Sequence, residues 1–217
     1  MAAAVQIKRP AVFALALFAF AAAAAALGAG LFDLSARRAA APIVIAVDKS
    51  DLEDALDDAP WISSGQTKGP VLWLVTTPNC KACRAFQTAQ LPRLLDAGIE
   101  VRAILFAPRA LAAASDDARD VATLLKEREW TATEMWLQGR RERPDETMDP
   151  AEQDGLLEWS RQSAERIGAV LKRNDLPLGA PTLVWRSGRE IHVCVSGDRR
   201  GFESAAEDLL KEVRPGA

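Results

Sequence analysis

Val71-Leu72-Trp73-Leu74-Val75-Thr76-Thr77-Pro78-Asn79-Cys80-Lys81-Ala82-Cys83 is the stretch on which the reading of this chain turns. An apolar run of strand length stops at a turn, and two cysteines three residues apart open a stretch, 84–97, that reads as helix. A strand that delivers a cysteine to the start of a helix sets that sulfur among unpaired backbone N–H groups. Those groups and the helix dipole stabilise negative charge, and Lys81 adds a neighbouring cation. A Cys80 thiol pKa well below the free value of about 8.5 is therefore expected. Asn79 reads as the N-cap, which places Cys80 at the first helical position. Cys83, one turn on, is placed to resolve a mixed disulfide.

Two other uses of this spacing stand beside that one. Cys-x-x-Cys is half of a zinc site, and His192 and Cys194 would complete a Cys₃His set. That set needs both residues, on one face of a predicted strand, to meet the cysteine helix, and no metal is expected. An inert structural disulfide is the second alternative, although so short a ring stabilises little through loop entropy. Cys194 reads as a small buried hydrophobe and His192 as a surface strand residue. Lys81 is otherwise a plain solvated residue at a helix start.

About a hundred residues downstream, Ala180-Pro181-Thr182-Leu183-Val184-Trp185, the turn Ser187-Gly188 and Ile191-His192-Val193-Cys194-Val195 read as a β-hairpin before a last helix. With the cysteine segment, this hairpin resembles the end of thioredoxin-superfamily chains, over about 70–106 and 179–213. Thr77-Pro78-Asn79-Cys80 and the long helical stretch between the halves resemble the bacterial periplasmic disulfide-interchange (Dsb-type) branch. The pair Lys81-Ala82 departs from the dipeptides familiar there. The resemblance implies an α/β thioredoxin-like fold, a central mixed sheet flanked by helices, with a helical insertion at about 107–177 before a cis-proline. It implies Cys80 as the attacking thiolate, Cys83 as the resolving sulfur and Pro181 as the cis-proline facing them. Ala180, Pro181 and Thr182 would form the substrate groove, Ala180 offering its backbone N–H and C=O to an extended segment. Lys81 and Asn79 would tune the thiol. No cofactor is implied; the partners are protein thiols and disulfides, and a redox protein that recycles the pair.

Elsewhere, 43–47 reads as a first strand, followed by a helix capped by Asp48 or Ser50 and running through Leu52, Ala55 and Leu56. The cysteine helix should kink or restart at Pro92. Residues 99–106 read as a strand ended by Pro108, which makes the sheet five-stranded. Helices follow at 113–128, 131–138 and 151–173, the last with Leu157, Ser160, Ala164, Ile167 and Leu171 in one stripe, and 139–147 reads as a solvated loop. Trp73 and Trp185 are expected in or beside the sheet, and Trp130, Trp136 and Trp159 in the core of the insertion.

Composition bounds the rest. A chain of 217 residues, 49% hydrophobic and 26% charged, holds one domain of about 170 residues and an appendage. A net charge of −3 and a pI near 5.4, with Lys and Arg dispersed among acids, exclude a nucleic-acid footprint. Lys8-Arg9-Pro10 precedes the uncharged segment 11–32, which is followed by Asp33 and Arg37-Arg38. That length suits a membrane span better than a secretory h-region, so 1–38 reads as a signal anchor with its N-terminus inside, and 39–217 as the thioredoxin-like domain. The small residues at 21–30 would also serve cleavage. The expected protein is a single-pass inner-membrane thiol:disulfide oxidoreductase with its catalytic domain in the periplasm, or periplasmic after signal cleavage. Oxidase, isomerase and reductase all stay open, although residues 39–70 leave no room for a separate dimerisation domain. The alternative is a non-enzymatic thioredoxin-like assembly subunit of a membrane-spanning conjugation or secretion apparatus.

Overall fold

The structure, a computed structural model, describes residues 42–140, 148–195 and 199–213. The segment 11–32 and most of the loop 139–147 lie outside the described residues. No helix among the described residues is long and apolar enough to cross a membrane.

In chain order the elements are β1 (Ile43–Val44), α1 (Lys49–Asp57), β2 (Trp61–Ser63), β3 (Val71–Thr76), α2 (Lys81–Ala89), α3 (Leu91–Asp96), β4 (Glu100–Leu105), α4 (Asp116–Glu127), α5 (Trp130–Leu137), α6 (Pro150–Arg173), β5 (Thr182–Ser187), β6 (Glu190–Val195) and α7 (Arg199–Val213). One mixed sheet runs in the order β1-β6-β5-β3-β4-β2. Among the described residues only β3 and β4 are parallel, joined through α2 and α3; every other neighbouring pair is antiparallel.

The alternation of the central strands divides the core. Leu72 and Leu74 of β3, Val101 of β4, Leu183 and Trp185 of β5 and Cys194 of β6 face Phe86, Leu91, Leu94, Phe202 and Leu209 of α2, α3 and α7. Val75, Ile104, Val184 and Val193 point the other way, onto Leu52 and Leu56 of α1 and Ile167, Val170 and Leu171 of α6. A third cluster joins Ala103 and Leu105 to Val121, Leu125 and Leu157. The α6 stripe is buried as its spacing requires. Each fully buried aliphatic or aromatic side chain contributes about 1.5–3 kcal/mol, so the cysteine helix is held by packing before any site chemistry begins.

Several expectations change. The sheet has six strands, not five, because Trp61–Ser63 pairs antiparallel with β4. Three residues are too few to show an alternation in sequence. The first strand leaves the sheet after Ile45, whose N–H still reaches the Ile191 carbonyl at 2.8 Å. The next two N–H groups, of Ala46 and Val47, go instead to Asn174 Oδ1 at 3.1 and 3.0 Å. Asp48 occupies the cap position of α1 but in the left-handed region, with no cap bond, and its carboxylate pairs with Arg173. The restart expected at Pro92 is present: the cysteine helix ends at Ala89, and α3 begins again with Pro92 in its first turn. Trp159 is not core: it is 39% exposed, with the Arg128 guanidinium 5.6 Å from its ring centre. Trp185 is fully buried, whereas Trp73, Trp130 and Trp136 lie at the margins of the clusters.

Candidate active site

β3 ends at Thr76, and three residues carry the chain to the cysteines. Asn79 sits at φ 59°, in the left-handed region that Asn tolerates better than most residues. It is not the N-cap. Its side-chain amide donates to Asp117 on α4, and the cap is Cys80, in extended conformation, one residue later than its composition suggests. The Cys83 N–H donates to Cys80 Sγ at 3.0 Å. The sulfur therefore takes the place of a capping oxygen, and an N–H of the helix's first turn points at it, a placement that favours negative charge on that atom.

Cys80 and Cys83 form a disulfide. The two sulfurs have different surroundings: Cys80 is partly exposed, while Cys83 is 4% exposed. Lys81, the first helical residue, is exposed beside them. A pocket of about 70 Å³ lies against the pair, lined by Thr76, Thr77, Asn79, Cys80, Cys83 and Arg84, and closed by Trp136, Leu137 and Gly139 at the end of α5. Sequence reasoning missed those α5 residues and the two threonines. The Trp136-Leu137 pair carries no signal of its own, and the threonines look like ordinary strand residues.

The Ala180–Pro181 peptide bond is cis. The β3–β5 register ends with Val75 opposite Thr182, so Pro181 stands one residue further, at the end of β3 from which the cysteine turn departs. Thr182 is fully buried and its hydroxyl donates to the Gly179 carbonyl at 2.8 Å. Its side chain is thus spent on shaping the loop rather than offered to a substrate. Ala180 and Gly179 are partly exposed.

The zinc alternative has no support, since no metal-ligating cluster occurs among the described residues. Cys194 is 3% exposed, inside the apolar cluster that holds Phe86 and Leu183, and it is not disulfide-bonded. His192 is not a surface residue: only 15% of its side chain is exposed. It stacks on Trp185 with ring centres 5.4 Å apart, and its Nδ1 lies 3.5 Å from Asp208, which also accepts the Trp185 indole N–H.

A Cys-x-x-Cys helix following the inner strand of a mixed sheet, and a cis-proline opening the hairpin beside it, decide the architecture. The fold is thioredoxin-like. No protein-family model matches the chain, and no curated protein matches it. Solved structures similar to it include the catalytic domain of Proteus mirabilis ScsC, at 13% identity over 76% of this chain and 96% of that one, with a TM-score of 0.45. Proteus mirabilis ScsC in a compact conformation is similar at 17% identity over 94% and 98%, TM-score 0.45. The thiol-disulfide exchange protein alpha-DsbA2 from Wolbachia pipientis is similar at 17% identity over 74% and 92%, TM-score 0.44. In this thioredoxin-like domain an accessible sulfur at a helix N-terminus and a second sulfur buried one turn behind it form a pair suited to thiol–disulfide exchange.

Proposed function

We propose that the chain is a thiol:disulfide oxidoreductase of the Dsb type that exchanges disulfides with proteins. One observation carries the reading: Cys80, capping its own helix, is reachable, and Cys83 is not. In the reduced protein the Cys80 thiolate attacks a client disulfide, forms a mixed disulfide and releases one client sulfur. Cys83 then attacks Cys80 Sγ, closing the Cys80–Cys83 disulfide and releasing the second client sulfur as a thiol. Run backwards, the same steps donate a disulfide. An extended client segment would pair with the partly exposed backbone at Ala180, beside Pro181. The helices inserted between β4 and β5 lend one wall to the cysteine pocket through the end of α5 and thereby favour some clients over others. Residues 1–38 would tether the domain to the periplasmic face of the inner membrane, a reading supported by the uncharged run 11–32. Short reach from the bilayer suits a dedicated client.

The test is an equilibrium redox titration of the fragment 39–217 in glutathione buffers, with thiol trapping of Cys80 and Cys83. A midpoint near roughly −120 mV marks a disulfide donor, and one near roughly −270 mV a reductant. If the two cysteines never interconvert between dithiol and disulfide across that range, the exchange reading fails and a scaffold role in an assembly takes its place.

A further inference from the structure

Cys83 must lose a proton before it can resolve a mixed disulfide, yet it is almost wholly buried, and among the described residues no carboxylate lines the pocket beside it. Among the described residues, the ionisable groups in the pocket wall are the two cysteines and Arg84. Around it stand Lys81, exposed on the same helix, Asp117 at the far end of the Asn79 amide, and Glu134 on α5, whose carbonyl accepts from Gln87. The same wall holds two hydroxyls. Thr76 is fully buried, and its Oγ1, like the buried Oγ1 of Thr77, has no hydrogen-bond partner among the described residues. The contrast with other buried threonines is direct: Thr133 and Thr182 donate to the carbonyls of Glu129 and Gly179 at 2.9 and 2.8 Å. A buried hydroxyl left unsatisfied is costly, and in native proteins such groups find water. The pocket is large enough, since about 70 Å³ exceeds the roughly 10–15 Å³ that a cavity needs to hold one water.

Building on the exchange reading, we propose that Thr76 and Thr77 are positioning residues: their hydroxyls hold water against the cysteine pair, and the Cys83 proton leaves through that water. In the mixed disulfide the Cys83 thiol gives its proton to the water. The sulfur's electron pair forms the bond to Cys80 Sγ. The bond between Cys80 and the client sulfur breaks with its pair on the client sulfur, which receives a proton from the same water. One disulfide and one thiol enter, one disulfide and one thiol leave, and the water is unchanged. A hydroxyl is well suited to this place, because it donates and accepts and adds no buried charge.

The test is stopped-flow reaction of the reduced full chain in detergent with excess 5,5′-dithiobis(2-nitrobenzoate). The first release of thionitrobenzoate reports attack by Cys80, and the second reports resolution by Cys83. That leaving group departs as an anion and needs no proton, so the second phase reads the Cys83 proton alone. In Thr76→Val and Thr77→Val, near-isosteric single variants, and in the double variant, the second phase should slow at neutral pH. Its pH midpoint should rise, by about one unit and tenfold in the double variant, while the first phase is unchanged. Thr76→Ser and Thr77→Ser should behave as wild type. A second phase unmoved in all valine variants, or slowed equally by serine, overturns the relay and leaves the exchange reading standing. A wild-type protein with no second phase overturns both.

Discussion

Replacing Phe86 with alanine tests whether the cysteine helix is held in place by the core beneath it. Phe86 is 1% exposed, and its ring meets that of Phe202 edge-on, with centroids 5.5 Å apart and planes at 66°. Phe-to-Ala in a packed core costs about 3–5 kcal/mol. Loss of the edge-to-face contact, worth about 0.5–1.5 kcal/mol, places this site toward the upper part of that range, near 4–5 kcal/mol by the same principles. At about 2–4 °C per kcal/mol for a domain of this size, the melting temperature should fall by roughly 8–20 °C. Urea unfolding of the oxidised fragment 39–217, with and without Phe86→Ala, measures the free energy, and a thermal scan measures the shift. The loss is a large share of a typical total of about 5–15 kcal/mol, so the variant should remain folded only marginally. A loss below about 1.5 kcal/mol, well under the usual cost of such a truncation, would refute the claim that packing of α2 against α7 fixes the site.

Other perturbations probe the site more locally. Cys83→Ser should leave Cys80 locked in a stable mixed disulfide with glutathione or a client, seen as a mass increment or a slow band on non-reducing gels; the same adduct on Cys80→Ser would contradict the assigned roles. Asn79→Ala removes the bond to Asp117 and puts alanine in the left-handed region, so about 1–3 kcal/mol should be lost in denaturant unfolding, and Asn79→Gly should lose less. Gly69→Ala would set a methyl 2.0 Å from the Gly98 carbonyl oxygen; backbone must move, and a cost above about 2 kcal/mol is expected, with unchanged stability refuting the close approach. Thr182→Val leaves the Gly179 carbonyl without its hydroxyl donor and should cost about 1–3 kcal/mol while the reaction of Cys80 with a small disulfide proceeds at the wild-type rate.

Much of this was legible from local chemistry. The strand, turn and cysteine helix announce themselves because the apolar run, Pro78 and the cysteine spacing agree, and Pro92 marks where that helix must begin again. The hairpin was equally plain, with Gly188 at φ 57° supplying the left-handed residue its turn requires. What stayed hidden depends on residues distant in sequence. Asn174 intercepts the first strand from a position 128 residues away. His192 is covered by Trp185 across the hairpin. The cap of the cysteine helix moved from Asn79 to Cys80 because Asn79 turns its amide toward Asp117. The pocket beside the pair exists only because α5 folds back over it.

The burial of Cys194 has a consequence for how the protein matures. Three cysteines admit three single disulfides, and only the one closing across three residues is native. Bonds from Cys194 to either partner would close loops of more than a hundred residues, a less frequent encounter in an unfolded chain. Such errors still accumulate whenever an oxidant acts before folding is complete. Once β6 has docked and Cys194 is sealed among Phe86 and Leu183, that route is closed, and reduction and reoxidation return the same pair. The third thiol thus sets a deadline: the last hairpin must form before the chain meets its oxidant, and repeated turnover is free of scrambling only afterwards.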